Sequence, residues 1–268
     1  MPRFRKSPTP THSSVSIIEV VMHSFQDDVI MISGGSKGIG FAAAARLGAR
    51  GSKISFCARD EADLQQVEKT LCDAGIDVLA VRADVSADAD VERWFEETER
   101  RFGSLTILVN NAGISGVGPF TKLSEEQWDK TMSVNCRGVF LCTRRALPAM
   151  MQAQKGRIFM ISSVSSKYYR KGHSLYFATK WALNGFAHCL AKEVREYGIH
   201  VHILCPGMTE TRFFDNMGGR PHSVDKIYAD PEIYAEQMEA LCHLPDHMDT
   251  LEFCTFPSWQ LNNFGIRR

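Results

Sequence analysis

The chain has 268 residues, of which 44% are hydrophobic and 23% charged, enough for one large α/β domain with a sizeable core. Lysine plus arginine (31) equals aspartate plus glutamate (31), so no long-range field indicates nucleic acid or an anionic membrane as a partner. We therefore expect a small-molecule partner, no nucleic acid and no membrane.

Residues 1–27 are predicted to form an N-terminal extension that is disordered or leader-like. Residues 2–16 are basic and rich in Ser, Thr and Pro, and a short apolar run over 15–22 is interrupted by Glu19. No small-residue cleavage site follows, which disfavours a secretory signal. Two interpretations stay open: a disordered tail or upstream start with Met22 as the working start, and an organellar presequence. We expect a cytoplasmic location unless the second holds.

From residue 28 the sequence alternates between β-branched apolar runs and longer helical stretches, which is typical of βαβ units. Six strands are predicted at Val29–Ser33, Lys53–Ala58 and residues 78–83, 106–110, 157–162 and 200–205. Five helices are predicted at residues 40–49, 61–74, 87–102, 125–154 and 175–197. The fourth helix starts with a capping-box pattern, Ser124 followed by Gln127. The strands are nearly continuously apolar, as expected when both faces are covered. The prediction is an α/β fold: a doubly wound parallel sheet (Rossmann fold) in a single domain over residues 28–268.

After Pro206 the alternation weakens. Residues 207–230 are predicted to form a substrate loop, followed by a helix near 231–241 and a last strand at 263–267. Four apolar residues of that loop could form a lid over a hydrophobic substrate, or could simply pack against the sheet: Met208, Phe213, Phe214 and Met217.

A glycine-rich turn, Ser33–Gly40, joins the first strand to the first helix. Glycines at 34, 38 and 40 permit a tight turn, close approach of backbone N–H groups to a pyrophosphate and close helix packing. Ordinary loops also use glycine, so the turn alone leaves both interpretations open. Its position between strand and helix favours a dinucleotide site.

The end of the second strand bears on the choice of cofactor. An NAD site would carry an acid there, whereas this strand ends at Ala58, followed by Arg59. Lys37 adds a second cation beside the turn, and a guanidinium binds phosphate well, so we expect NADP(H), with NAD(H) disfavoured. The competing interpretation is that Asp60 pairs with Arg59 as solvated surface charge.

Tyr176 and Lys180 lie four residues apart on a predicted helix and therefore share one face. A free tyrosine titrates near ~10. A neighbouring ammonium is expected to lower that pKa, so that Tyr176 acts as general acid in reduction and general base in oxidation. Ser163, at the end of the fifth strand, could polarise a substrate carbonyl. Asn135, in mid-helix, could hold a water. Each feature alone also has an ordinary structural explanation. The prediction of a catalytic site rests on their occurring together, in this order, after the glycine-rich turn.

The chain resembles the short-chain dehydrogenase/reductase family through motifs that span about residues 28–211. They are the SGGSKGIG turn, Asp84 after the third strand, Asn110–Gly113, the set Asn135/Ser163/Tyr176/Lys180, and Pro206–Gly207 leading to Thr211.

The resemblance implies an NADP(H)-dependent oxidoreductase acting on a carbonyl or secondary alcohol, with Asn135, Ser163, Tyr176 and Lys180 as the catalytic set. It implies that Asp84 bonds the adenine amino group, Lys180 also holds the nicotinamide ribose, and Asn135 positions a relay water. The predicted cofactor contacts are Ser33, Gly34, Ser36, Lys37, Gly38, Ile39, Gly40, Arg59, Asp84, Val85, Asn111, Ala112, Gly113, Tyr176, Lys180, Pro206, Gly207, Thr209 and Thr211. The alternative is a non-catalytic NADP(H)-binding sensor or scaffold with the same fold.

The resemblance also implies a homo-oligomer that packs the helices of Asn135 and Tyr176 between subunits, as a homodimer or homotetramer. The usual Gly-rich final strand of the family is absent, so a dimer through these helices is our expectation. No metal is expected, because Pro245 interrupts the helix that would align His243 and His247. The eight cysteines contain no CxxC pair and are expected to be reduced.

Overall fold

The computed structural model describes residues 23–211, 213 and 227–264. In these ranges the strands are β1 (Val29–Ser33), β2 (Lys53–Ala58), β3 (Val78–Arg82), β4 (Ile107–Asn110), β5 (Gly156–Ile161), β6 (Ile199–Pro206) and β7 (Glu252–Thr255). The α-helices are α1 (Gly38–Ala49), α2 (Glu61–Asp73), α3 (Asp88–Phe102), α4 (Glu125–Met132), α5 (Gly138–Ala153), α6 (Ser174–Val194) and α7 (Pro231–Cys242).

All strand pairs are parallel, and the sheet order is β3-β2-β1-β4-β5-β6-β7. The predicted doubly wound parallel sheet is confirmed. The chain reverses its direction of strand addition between β3 and β4, so the ends of β1 and β4 border the crevice where such sheets bind ligands.

Side-chain alternation along the strands divides the core into two layers. Val29 and Met31 of β1 pack into the cluster beneath one face of the sheet, and Ile30 and Ile32 pack into the cluster on the other. Both β1 and β6 are buried along their whole length. Continuous apolar runs therefore mark these strands, because neither face meets water.

The predicted helix over residues 125–154 is divided in the structure. It begins with the expected capping box, in which the Ser124 hydroxyl accepts from Gln127 N while the Gln127 side chain accepts from Ser124 N. A π-helical segment, Ser133–Arg137, then separates α4 from α5. The 3.6-residue period of the sequence does not reveal this one-turn widening.

The prediction for the C-terminal strand is wrong. The seventh strand is β7, which pairs with β6 in the register Cys205↔Cys254, while Ser258–Phe264 is a 3₁₀-helix. β7 has only four residues and exposes Phe253 and Cys254, so it lacks the apolar run that marks the inner strands. Residues 265–267 of the predicted strand lie outside the described residues.

Other predictions also fall partly outside the described residues. These are residues 1–22 of the N-terminal extension, and position 212 and residues 214–226 of the substrate loop, with Phe214 and Met217. Within the described ranges, no helix combines the length and apolar character needed to span a membrane.

Candidate active site

A cavity of about 1040 Å³ opens at the carboxyl ends of the parallel strands. It is lined by the loops that follow β1 to β6. The predicted cofactor contacts that line it are Gly34, Ser36, Lys37, Gly38, Ile39, Arg59, Asp84, Val85, Asn111, Ala112, Gly113, Tyr176, Lys180, Pro206, Gly207, Thr209 and Thr211. Ser163 lines it as well, whereas Ser33, Gly40 and Asn135 lie behind its wall.

The glycine turn depends on the absence of side chains. Gly34 and Gly38 have φ values of +69° and +54°, which residues with a Cβ rarely adopt. A Cβ on Gly40 would lie 2.4 Å from the carbonyl oxygen of Gly34. The helix α1 begins at Gly38, and the side chain at its N-cap, Lys37, makes no capping hydrogen bond. Its first N–H groups are therefore available to an anion in the cavity.

Ser33 and Asn111 hold this turn against the loop after β4. The Ser33 hydroxyl accepts hydrogen bonds from the backbone N–H groups of Asn111 and Ala112 at 3.0 and 3.1 Å. The Asn111 amide donates back to the carbonyl oxygens of Ser33 and Gly34 at 3.0 and 2.9 Å. Both side chains therefore fix the shape of the cavity wall.

The charged end of the cavity contains Arg59, whose side chain is 55% exposed. Its guanidinium lies 4.0 Å from a carboxylate oxygen of Asp84. Asp60 does not form the pair considered as the alternative, because it caps α2 by accepting from Asp63 N at 2.9 Å. Lys37 forms an ion pair with Asp63, which leaves Arg59 the more available of the two cations.

Asp84 is oriented by its own loop. One carboxylate oxygen accepts from the backbone N–H and the hydroxyl of Ser86 at 2.9 and 2.7 Å, and the other lies toward Arg59. The backbone N–H of Asp84 donates to Asp90 at 2.9 Å. These contacts fix the carboxylate at the cavity edge.

Asn135 occupies the π-helical segment and is buried. Its amide nitrogen donates to the carbonyl oxygen of Ile114 at 2.9 Å and to the Thr179 hydroxyl at 3.1 Å. Its amide oxygen accepts from Ile114 N at 2.8 Å. The widened turn thus directs this amide to the backbone beside Gly113 and ties it to α6.

Ser163 and Tyr176 meet in the cavity. Ser163 lies two residues beyond Ile161, the last residue of β5, and its hydroxyl accepts from Ser165 N at 3.1 Å. A hydrogen bond joins the side chains of Ser163 and Tyr176. The backbone N–H of Tyr176 donates to Gly116 O at 3.3 Å, which fixes the start of α6 against the loop after β4.

Lys180 lies one helical turn beyond Tyr176 on α6. Its Nζ atom donates to the carbonyl oxygen of Ile161 at 2.9 Å and lies 5.7 Å from the centre of the Tyr176 ring. A Cβ on Gly113 would lie 3.8 Å from this Nζ. The predicted sharing of one helix face by Tyr176 and Lys180 is therefore correct.

The pKa of Tyr176 shifts opposite to the direction expected from the sequence. Burial raises the pKa of Tyr176 to about 12, and the hydrogen bond with Ser163 only partly opposes this shift. Burial also lowers the pKa of Lys180 to about 8. The expectation treated Lys180 as a full charge beside a solvated phenol, whereas burial penalises the charged forms of both groups.

The family model described as short chain dehydrogenase matches residues 28–220. The chain belongs to the short-chain dehydrogenase family. The matched segment begins just before β1 and includes every strand from β1 to β6. It therefore contains the glycine turn and the Ser163, Tyr176 and Lys180 side chains.

Two relatives and two solved structures illustrate the similarity. The 3-oxoacyl-(acyl-carrier-protein) reductase of Escherichia coli is 34% identical over 188 residues, covering 70% of this chain and 76% of the relative. The 2-(R)-hydroxypropyl-CoM dehydrogenase of Xanthobacter autotrophicus is 36% identical over 205 residues, covering 75% of this chain and 82% of the relative.

The first solved structure is a variant of the actinorhodin polyketide ketoreductase with NADPH. It has a TM-score of 0.78 and 29% identity, and the match covers 87% of this chain and 97% of that one. The second is a metagenomic short-chain oxidoreductase in complex with NADP. It has a TM-score of 0.77 and 29% identity, and the match covers 88% of this chain and 99% of that one. Nearly the whole of each neighbour is thus matched.

In this short-chain dehydrogenase the mouth of the cavity is lined by residues on two loops. Tyr168 and His173 line it, and so do Met208 and Phe213 of the predicted lid. Tyr169, the neighbour of Tyr168, is 84% exposed and stacks on Trp181. Arg170 and Phe177 are additional lining residues that the sequence analysis did not single out.

Gln260 is the lining residue that sequence reasoning missed most completely. It belongs to the 3₁₀-helix after β7, is 2% exposed, and its side-chain oxygen accepts from Met208 N at 2.7 Å. Gly207 N donates to Thr255 O at 2.8 Å. The unusual C-terminal part therefore closes the cavity behind Gly207 and Met208, and no motif or periodicity marked it.

Proposed function

We propose that the protein is an NADP(H)-dependent oxidoreductase that transfers a hydride between the nicotinamide and a carbonyl or secondary-alcohol substrate. The observation that carries the proposal is the convergence of Ser163, Tyr176 and Lys180 in one cavity with the open N-terminus of α1. The two neighbouring structures contain NADPH and NADP, respectively.

The residues present fit a dinucleotide. The uncapped N–H groups at Gly38 suit a pyrophosphate, Arg59 suits a 2′-phosphate, and Asp84 at the cavity edge suits an adenine amino group. The other end of the cavity is lined by Lys180 and by residues between Pro206 and Thr211. These residues would contact the nicotinamide and its ribose. When bound, the nicotinamide supplies the hydride donor or acceptor.

Tyr176 is the proposed proton donor to the substrate oxygen. Its phenol is neutral at physiological pH, because burial raises its pKa to about 12. A developing alkoxide is far more basic than a phenolate, so proton transfer from the tyrosine runs downhill. The neutral phenol is thus the form that a general acid needs when a carbonyl is reduced.

Ser163 and Lys180 complete the proposed chemistry. The Ser163 hydroxyl, already bonded to Tyr176, orients the carbonyl oxygen toward the phenol. Lys180 donates to Ile161 O and holds its ammonium beneath the Tyr176 ring. Asn135 supports this arrangement by binding both polar backbone groups of Ile114, and is proposed to help relay protons through Lys180.

The test combines cofactor binding with turnover. NADPH and NADH are titrated separately by fluorescence, and NADPH consumption is then followed with ketones, aldehydes and 3-oxoacyl thioesters. The thioesters come first, because one relative is named as a 3-oxoacyl reductase. We expect tighter binding of NADPH and turnover of at least one class. Binding without turnover of any class would contradict the enzyme proposal and favour a dinucleotide sensor.

The protein is further proposed to form a homo-oligomer through α5 and α6. Phe140 on α5 and Trp181 on α6 are large hydrophobic side chains that are 47% and 43% exposed, a feature typical of protein interfaces. Sedimentation velocity should show a dimer or tetramer. Phe140→Lys should shift it toward the monomer, whereas a wild-type monomer would contradict the proposal.

A further inference from the structure

Two cysteines face each other across the edge of the sheet, outside the proposed catalytic set. Cys205 of β6 and Cys254 of β7 are partners in the strand register. Their Sγ atoms lie within 4.8 Å of each other. Cys205 is buried, whereas Cys254 is exposed. One residue of the pair is thus open to solvent, and the other lies beside it in the sheet.

The backbone spacing suits a disulfide. Paired residues on neighbouring strands are about 4.7–4.9 Å apart, within the roughly 4.4–6.8 Å that Cα atoms span across a disulfide. Side chains of register partners lie on the same face of a sheet, so no strand has to turn over. Bond formation then needs rotation of both side chains and a small approach of the short edge strand β7 toward β6, because a disulfide brings its two Cβ atoms to about 3.5–4.5 Å.

The surroundings favour loss of a thiol proton. The interaction with Cys254 lowers the pKa of Cys205, with a further contribution from Lys167, and the interaction with Cys205 raises the pKa of Cys254. The first thiol proton of the pair is therefore lost at lower pH than that of a free cysteine. Thiolates, not thiols, are the nucleophiles of thiol–disulfide exchange.

Glu252 lies beside the pair but is already fully engaged. One carboxylate oxygen bonds His188 at 2.6 Å and Asn184 at 3.0 Å, and the other bonds Lys167 at 2.5 Å. A metal ion held by Cys205, Cys254 and Glu252 would have to displace these partners and stand next to an ammonium. The arrangement favours sulfur chemistry over metal binding.

We propose that Cys205 and Cys254 form a reversible intramolecular disulfide by exchange with the disulfide of a small thiol such as glutathione. Cys254 attacks one sulfur of the small disulfide as its proton passes to Cys205, and the first small thiolate leaves. Cys205 then loses that proton and attacks the Cys254 sulfur, and the second small thiolate leaves. The two protein sulfurs are oxidised and the small disulfide is reduced to two thiols, which take up the proton of Cys254 and the one that Cys205 had already released to water.

The bond would act next to the cavity. Cys205 precedes Pro206, and Gly207 N donates to the carbonyl oxygen of Thr255, the residue after Cys254. The disulfide would therefore fasten both strand ends that support the Pro206–Gly207 wall. Oxidation is expected to slow amide hydrogen exchange at Gly207.

The test uses the reduced full-length protein, treated with a chelator and equilibrated with oxidised and reduced glutathione. Acid quenching, alkylation and mass spectrometry should show a loss of two hydrogen masses and a linked peptide pair containing Cys205 and Cys254. Dithiothreitol should reverse both. Failure to form the pair in excess oxidised glutathione, or a stable glutathione adduct on wild-type Cys254, would overturn the proposal.

Variants assign the order of the steps. Cys254→Ser should neither form the disulfide nor acquire glutathione at buried Cys205, whereas Cys205→Ala should trap glutathione on Cys254. Cys72→Ser, which alters an exposed cysteine of α2, is the matched control and should oxidise like wild type. If Cys205→Ala does not fold, Cys254→Ser still tests the order of the steps, because glutathione found on Cys205 of that variant would contradict it. Stoichiometric zinc uptake that requires both cysteines and blocks oxidation would overturn the disulfide in favour of a metal site.

Discussion

Tyr176 and Lys180 lie on one face of α6, with the Lys180 Nζ atom 5.7 Å from the centre of the Tyr176 ring. This ammonium is fixed by its hydrogen bond to Ile161 O and contacts the ring from below. It does not share a proton with the phenol. The phenol hydroxyl instead bonds Ser163, which leaves it directed at the cavity.

Removing the Tyr176 hydroxyl should abolish most turnover while sparing cofactor binding. General acid catalysis contributes roughly 10²–10⁴ in rate, and we expect Tyr176→Phe to lose kcat by about that factor. Tyr169→Phe alters an exposed tyrosine and is the matched control. The measurement is steady-state kinetics with an NADPH titration of each variant. A Tyr176→Phe enzyme within tenfold of wild-type kcat would exclude the phenol as proton donor.

Arg59→Ala should weaken NADPH binding more than NADH binding. A hydrogen bond to a charged group contributes about 1.5–3 kcal/mol, which corresponds to roughly tenfold to hundredfold in Kd. Lys37 is expected to contribute less, because it is paired with Asp63. Fluorescence titration of both cofactors measures the effect, and Arg100→Ala on the exposed face of α3 is the control. An unchanged NADPH preference would remove Arg59 from the phosphate site.

Asn135→Ala should destabilise the protein by about 1–3 kcal/mol, because it leaves the half-buried N–H and carbonyl groups of Ile114 without their partners. Chemical denaturation measures this loss of stability, and Gln152→Ala, at an exposed position of α5, is the control. The water-relay role expected from the family predicts a different outcome. A large fall in kcat with unchanged stability would favour the relay over the anchoring contacts.

The parts of the site predictable from sequence are those whose geometry is local. Gly34 and Gly38 need positive φ angles, and Tyr176 and Lys180 meet because four residues make about one helical turn. The inner strands are recognisable in the sequence as continuous apolar runs, because both faces of the sheet are covered. Spacing alone thus identified the turn, the helix face and the doubly wound sheet.

The rest depends on contacts between distant segments. Gln260 bonds Met208, which lies 52 positions away in the sequence. The strand β7 is formed by hydrogen bonding to β6 at the edge of the sheet. The direction of the Tyr176 pKa shift follows from burial among several elements, which sequence spacing does not encode. The widened turn at Asn135 is likewise set by what its side chain binds.

The stability of the protein should fall in acid partly through His202, which is fully buried on β6. Its Nδ1 atom bonds Thr250 O at 2.8 Å, while its Nε2 atom has no hydrogen-bond partner among the residues that the structure describes. Burial lowers the pKa of His202 from 6.5 to about 4. The unfolded chain therefore binds this proton at higher pH than the folded one. The stability contribution is complete above pH 6.5 and declines as pH falls toward 4.

His202→Asn keeps a side-chain N–H donor near the Nδ1 position and removes the titrating ring. Between pH 6.5 and pH 5, wild type should lose on the order of 2 kcal/mol more unfolding free energy than this variant. Urea unfolding across that range measures the difference, and His247→Gln, at an exposed histidine, should follow the wild-type slope. Parallel curves for wild type and His202→Asn would contradict the assignment, since a buried ring that is neutral in the folded state must take up its proton on unfolding.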